Sequence, residues 1–164
     1  MVELRELLTS DGKDVFQMLQ TIVKDENAFT NPVKGMNYEV FKKWLIQQYQ
    51  WSRCENLPEG FVGQTIFWLY DNEIPVGIGK IRHTLTEHSR KIGGNIGYAI
   101  SNKFRGKGYG TIMLNMLLEK AREMNVREKL LTVEKNNPAS KRVIEKHGGR
   151  LIDENDERWF FIFD

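Results

Sequence analysis

A lone cysteine, Cys54, among 164 residues excludes an internal disulfide framework. No apolar run approaches the roughly 18 residues that a membrane span needs, and no apolar segment near the start resembles a secretory signal. The expectation is therefore a cytoplasmic protein with no membrane partner. An excess of one charge is missing too. Twenty-four basic residues against 22 acidic ones leave a net charge of +2. The positive charge is local, so a broad nucleic-acid surface is not implied. There is no internal repeat or low-complexity segment, and no metal site is expected. Apolar residues make up 40% of the chain, enough for one compact domain spanning residues 1–164.

What is present is concentrated between Gly94 and Leu118. A short apolar strand, Asn95 to Ile100, leads into a basic glycine-rich turn, Lys103 to Gly110, and then an amphipathic helix to about Met124. Gly106, Gly108 and Gly110 alternate with Arg105, Lys107, Tyr109 and Thr111. Glycines let a chain turn tightly and bring amide N–H groups close to a ligand. The following helix aims its unpaired N–H groups and positive dipole end at the same place. The expected ligand carries phosphate, the alternative being a plain glycine-rich strand-to-helix connection with a solvated basic face. No Lys is followed by Ser or Thr in P-loop spacing, and the third glycine comes too early for a dinucleotide fingerprint. Leu130 and Leu131 stand where that fingerprint needs an acid.

Arg105-x-x-Gly108-x-Gly110 instead resembles the coenzyme-A motif of the GNAT superfamily of N-acetyltransferases, R/Q-x-x-G-x-G/A. A second block strengthens the likeness. The strand Lys129 to Val133 is followed by Asn137-Pro138-Ala139-Ser140 and a helix ending at Gly148-Gly149, similar to the superfamily's N-x-x-[AS] segment. Asn137 and Pro138 also suit an N-cap and a first helical position. The stretches IRHTL (Ile81–Leu85) and GGNIGY (Gly93–Tyr98), with the double glycine, look like a group of bacterial predicted acetyltransferases. The resemblance covers about Thr65 to Phe163.

Its implications are specific. The fold would be α+β, with a mixed, mostly antiparallel sheet whose fourth and fifth strands splay to admit the cofactor. Amides of Arg105, Gly106, Lys107, Gly108, Tyr109, Gly110 and Thr111 would cradle the CoA pyrophosphate. Tyr98, Ala99 and Ile100 would pair with pantetheine, which Asn137 and Ser140 would flank. Acetyl-CoA would be a co-substrate, attacked directly by the amine of a small molecule or peptide. Ile100 N–H is the expected oxyanion donor. Glu134, His83 and Tyr98 are the candidates for moving the proton. Relatives often place a proton-donating Tyr seven residues after the motif Asn, and here that position is Ile144. This departure keeps a non-catalytic acyl-CoA sensor as an alternative.

Elsewhere the pattern is plainer. Val2 to Leu8 reads as an edge strand, and Ser10 or Asp11 as the cap of a helix carrying Val15, Phe16, Leu19, Ile22 and Val23. Lys24 to Asn37 reads as loop, Tyr38 to Tyr49 as helix, and Gln50 to Gly63 as a mobile loop or substrate lid. Thr65 to Tyr70 and Val76 to His83 read as strands, Thr84 to Gly93 as loop. Leu151 to Asp153 and Arg158 to Phe163 close the chain as a strand pair. Met113, Met116 and Met124 fall on an apolar helical stripe and are assigned to the core. Trp44, Trp51 and Trp159 suit core packing, an acceptor pocket or a homodimer face.

Overall fold

Strand β4 (Gln64–Asp71) is buried along nearly its whole length, as a strand covered on both faces must be. Its alternate side chains enter two separate cores. Phe67 and Leu69 point to one face, and Ile66, Trp68 and Tyr70 to the other. The computed structural model describes residues 1–164. On either side of β4 lie β1 (Val2–Glu6) and β5 (Ile74–Arg82), and β6 (Ile96–Ile100) completes a four-stranded sheet in the order β1-β4-β5-β6. A second sheet of β7 (Lys129–Glu134), β8 (Arg150–Glu154) and β9 (Arg158–Phe163) has the order β7-β9-β8. Every ladder is antiparallel.

Helices α1 (Lys13–Gln20) and α2 (Tyr38–Ser52) cover one face, burying Leu19, Phe41, Trp44 and Leu45 against Trp68 and Ile78. Helix α4 (Tyr109–Glu123) covers the other with Met113, Leu114 and Leu117, and Ile144 of α5 (Pro138–Lys146) joins that core. Met113 is buried and Met116 and Met124 pack against it, so the methionine stripe is core. No helix is long and apolar enough to cross a membrane.

Three local readings change. Helix α1 begins later than expected and has Gly12, not Ser10 or Asp11, at its N-cap. The Asp11 carboxylate instead accepts from the Trp68 indole at 2.7 Å and from Leu8 N–H at 2.8 Å. A buried Trp needs an acceptor for its N–H, and Asp11 supplies it. The segment read as loop between α1 and α2 contains a hairpin, β2 (Asp25–Glu26) and β3 (Phe29–Thr30). Its turn residues Asn27 and Ala28 both have positive φ, 51° and 63°. The favoured sequence for such a turn is Asn-Gly, and Ala28 hides the signal. The stretch Thr84–Gly93 holds a short helix, α3 (Glu87–Lys91), started by a reciprocal cap between Thr86 and Ser89.

The two sheets touch at one narrow point. Gly94 bridges Leu131, and Asn95 N–H donates to Leu130 O at 3.0 Å. Buried Asn95 also accepts from Leu130 N–H at 2.8 Å and donates to Glu128 O at 2.6 Å and Arg82 O at 3.3 Å. Beyond this fastening β6 and β7 form no ladder, so the fourth and fifth of the long strands diverge. Replacing Asn95 with Ala strands a buried N–H and two carbonyls. Chemical denaturation of Asn95→Ala is expected to show a loss of about 2–4 kcal/mol, the cost of leaving buried backbone groups unpaired.

Candidate active site

The divergence of β6 and β7 opens two adjoining hollows. The larger, about 280 Å³, lies under the turn and is walled by Tyr98, Ala99, Ile100, Arg105, Gly106, Gly108, Tyr109, Gly110 and Asn137. The smaller, about 90 Å³, continues between the strands past Gly97, Tyr98, Thr132, Val133, Asn137, Ser140 and Ile144. Tyr98 and Asn137 line both, so the two form one slot leading from the turn towards the Asn95 fastening.

The turn is built for an anion. Ser101 accepts from Phe104 N–H at 2.9 Å, forming a single tight turn before the glycines. Gly106 and Gly108 adopt φ of +78° and +86°, and a Cβ placed on either would meet no atom within 4 Å. The space above them is open. No main-chain N–H from Gly106 to Thr111 donates to a protein acceptor, and the first that does is Ile112 N–H, to Gly108 O at 3.3 Å. These donors converge at the start of the 15-residue helix α4, where the helix dipole adds positive potential.

The strand edge is also prepared. Ser101 N–H pairs with Val76 O at 2.8 Å, and Arg82 N–H with Asn95 O at 2.7 Å. Antiparallel ladders alternate, so the peptide groups of Ile96, Tyr98 and Ile100 point away from β5 into the slot. The Ile100 carbonyl is taken up by Arg105 Nε at 3.2 Å, and its N–H faces the gap.

The acetyltransferase (GNAT) family model matches residues 18–149. The chain belongs to the GNAT acetyltransferase family. Its fold is shared with solved structures of low identity. An acetyltransferase of the GNAT family from Streptococcus pneumoniae aligns with TM-score 0.64 and 18% identity, over 99% of this chain and 98% of that one. RimL, a ribosomal L7/L12 alpha-N-protein acetyltransferase in complex with coenzyme A, gives 0.69 and 16%, over 98% and 92%. The Campylobacter jejuni N-acetyltransferase PseH in complex with acetyl coenzyme A gives 0.63 and 14%, over 100% and 99%. No curated protein sequence matches.

Most residues expected at a GNAT cofactor site line the slot, Lys107 and Thr111 excepted, and the side chains of Arg105 and Tyr109 are tied to protein partners. The Arg105 side chain turns back, pairing with Glu26 at 2.8 Å as well as with Ile100 O. It braces the hairpin and strand, leaving anion contact to main-chain donors. Lys107 is exposed, its ammonium 5.6 Å from the Phe104 ring centroid. The Tyr109 hydroxyl donates to Asp71, whose carboxylate raises the phenol's pKa. His83, expected beside the acceptor, stands apart from the slot. It lines a separate hollow with Glu6, Arg53 and Lys120, because its N–H is drawn to Gly63 O at 2.8 Å and its Nε2 lies 2.8 Å from Thr65 Oγ1. Burial lowers its pKa.

Glu134 ends β7 and lines a further hollow of about 440 Å³ beside the slot, formed with the β2–β3 hairpin, Ile92 and Arg158. Tyr98 is in the slot, but burial pushes its phenol up to about 12. Ile144, in the place of the common Tyr, is buried and lines the slot. Sequence reading missed the wall formed by Ile22, Val23, Glu26, Asn27 and Phe29. Only the hairpin turn could have signalled it, and Ala28 obscured that turn.

Lys80 lies opposite Gly97 on β5, its ammonium 5.3 Å from the Phe29 ring centroid. Burial, aided by Arg82, lowers its pKa to about 8. The unfolded chain holds this proton up to about 10.5, so below pH 8 the native state carries the full cost of the buried charge. Between those values the unfolded state binds more protons, and stability rises with pH. Lys80→Met is expected to be more stable than the parent at pH 7 by on the order of 2–3 kcal/mol. Denaturation from pH 7 to 10.5 checks this, with the difference shrinking across the upper part of that range.

Proposed function

We propose that this protein transfers the acetyl group of acetyl-CoA to an amine by direct attack in a ternary complex. One observation carries the reading: a run of unpaired main-chain donors, residues 106–111, sits at the mouth of a slot between two diverging strands. The donors and the α4 terminus bind the pyrophosphate. Pantetheine then lies along the free edge of β6 like an added strand, bonding to the outward peptide groups of Tyr98 and Ile100, with Asn137 and Ser140 alongside.

At the thioester, the amine nitrogen bonds to the carbonyl carbon and its oxygen becomes an oxyanion. Ile100 N–H donates to that oxygen. Such a donor is worth about 3–4 kcal/mol in acyl transfer. Collapse breaks the C–S bond and releases thiolate. Glu134, in the neighbouring hollow, accepts the ammonium proton directly or through water. The departing thiolate takes a proton from solvent. A thiol of pKa about 8.5 needs little help to leave, and neither Ile144 nor the Asp71-bound Tyr109 offers any.

The apolar Ile144 in the slot favours one second reading, a sensor that binds acyl-CoA without turnover. Detectable CoA release with any amine excludes it. Calorimetric titration with acetyl-CoA, paired with a thiol-release assay over an amine panel, tests the main proposal. Absence of binding at millimolar cofactor would overturn both readings. Gly108→Val places a branched side chain at φ +86° and in the open space above the turn. Calorimetry should show acetyl-CoA binding weakened by about 100-fold or more, close to 3 kcal/mol. Glu134→Gln should lower kcat near neutral pH by about 10²-fold, as expected for loss of a general base. Its acetyl-CoA affinity should stay at the parent value, and an unchanged kcat across pH would remove Glu134 from the mechanism.

A further inference from the structure

We infer that the acceptor is an amino-acid-like zwitterion, whose carboxylate is received by Arg158 while its amine faces Glu134. This rests on the acyl-transfer reading above and names the substrate class of that site. Arg158 begins β9 and stands directly opposite Glu134 of β7. On β7, Leu131 and Val133 point into the α4 core, so Glu134 takes the opposite face, and Arg158 shares it. That face is the one roofed by the β2–β3 hairpin, and both residues line the hollow beneath it.

The charges there are not internally settled. Asp25, Glu26 and Glu134 share this wall with Arg158; Glu26 is paired with Arg105 at 2.8 Å, and Asp25, bonded to the Thr30 hydroxyl at 2.8 Å, keeps its charge and with Glu134 draws the ligand's ammonium. Arg158 forms no ion pair, although Glu134 faces it. Its Nη1 is shut off from solvent and finds no acceptor, the one such side-chain atom in the protein. A buried donor on a charged group costs more than a neutral one when unpaired, and native proteins rarely leave it so. A carboxylate satisfies a guanidinium with two parallel hydrogen bonds. Side chains directly opposed across an antiparallel pair begin about 4.5–5.5 Å apart. That spacing suits one ligand presenting an ammonium and a carboxylate on neighbouring carbons. A polyamine would instead set a second ammonium against Arg158.

The adjoining hollow differs in charge from the first. It shares Ala28, Thr30 and Ile92 with the first, is lined by Arg82 and His88, and has no carboxylate in its wall. Arg82 Nη1 donates to the Gly94 carbonyl at 3.1 Å and pairs with no acid. An acceptor side chain extending this way meets positive charge and the exposed ring of Phe61.

The test measures CoA release with amino acids, with their amides, with their decarboxylated amines and with spermidine, on the parent protein and on Arg158→Gln and Arg158→Lys. The parent should favour amino acids over their amides by about 30-fold or more in kcat/KM, as when one partner of a buried charge pair is lost. In Arg158→Gln that ratio should fall towards one through KM, and Arg158→Lys should restore part of it. Calorimetry with acetyl-CoA shows whether each variant keeps its fold. Should Arg158→Gln fail to fold, the parent ratio and Arg158→Lys decide. Amides or spermidine used as well as amino acids by the parent would overturn the assignment while leaving acyl transfer intact. An undiminished ratio in folded Arg158→Gln would do the same. Binding of acetyl-CoA with no release for any amine would overturn this assignment and the acyl-transfer reading together.

Discussion

Asn95 holds the two sheets together at one end of their seam, and the slot between them depends on their parting beyond it. A ladder continued along β6 and β7 would consume the peptide groups of Tyr98 and Ile100. It would also close the hollow that Asn137 and Ser140 border. A seam with no fastening would let the β7-β9-β8 sheet drift from the core. The buried amide of Asn95 bonds to Glu128 O, Leu130 N–H and Arg82 O, spanning both sheets with one side chain. Divergence is therefore an anchored feature of the backbone, and α4 fills the face behind it with Met113, Leu114 and Leu117.

Chemistry follows from what the backbone leaves unsatisfied. Along the turn and the edge of β6, main-chain groups point outward without partners, while the guanidinium of Arg105 is already engaged. Arg105 braces Ile100 O and Glu26, and Lys107 lies near Phe104. A phosphate held by amides is held by geometry more than by net charge, in keeping with a chain whose net charge is only +2. The α5 side of the slot has the opposite character. Ile144 makes it apolar, and burial raises the pKa of the Tyr98 phenol there.

The glycine-rich turn and the Asn137 cap were legible because each depends on local residue chemistry, whereas the divergence was expected only from the family resemblance. Asn137 accepts from Ser140 N–H at 3.3 Å, as its position before Pro138 predicts. Glycines near +80° leave a mark in sequence, and so does an apolar strand ending in a basic turn. His83 was misplaced for a different reason. A strand-end residue's environment is set by partners far along the chain, here Gly63 and Thr65, and nothing local reports them. The hairpin wall was hidden by Ala28 in a left-handed position that glycine usually fills. Arg158 gave no sign either, since its meaning lies in facing Glu134 across a ladder that periodicity alone does not pair.

The Arg105–Glu26 contact has a dynamic consequence. Both side chains are 41% exposed, and an ion pair at such exposure is worth at most about 1 kcal/mol. That is comparable to thermal energy, so this latch between roof and floor opens often at ordinary temperature. Opening the pair frees the Glu26 side of the hairpin while Phe29 keeps its place in the core beneath α1, and added salt, by screening the two charges, favours the open form.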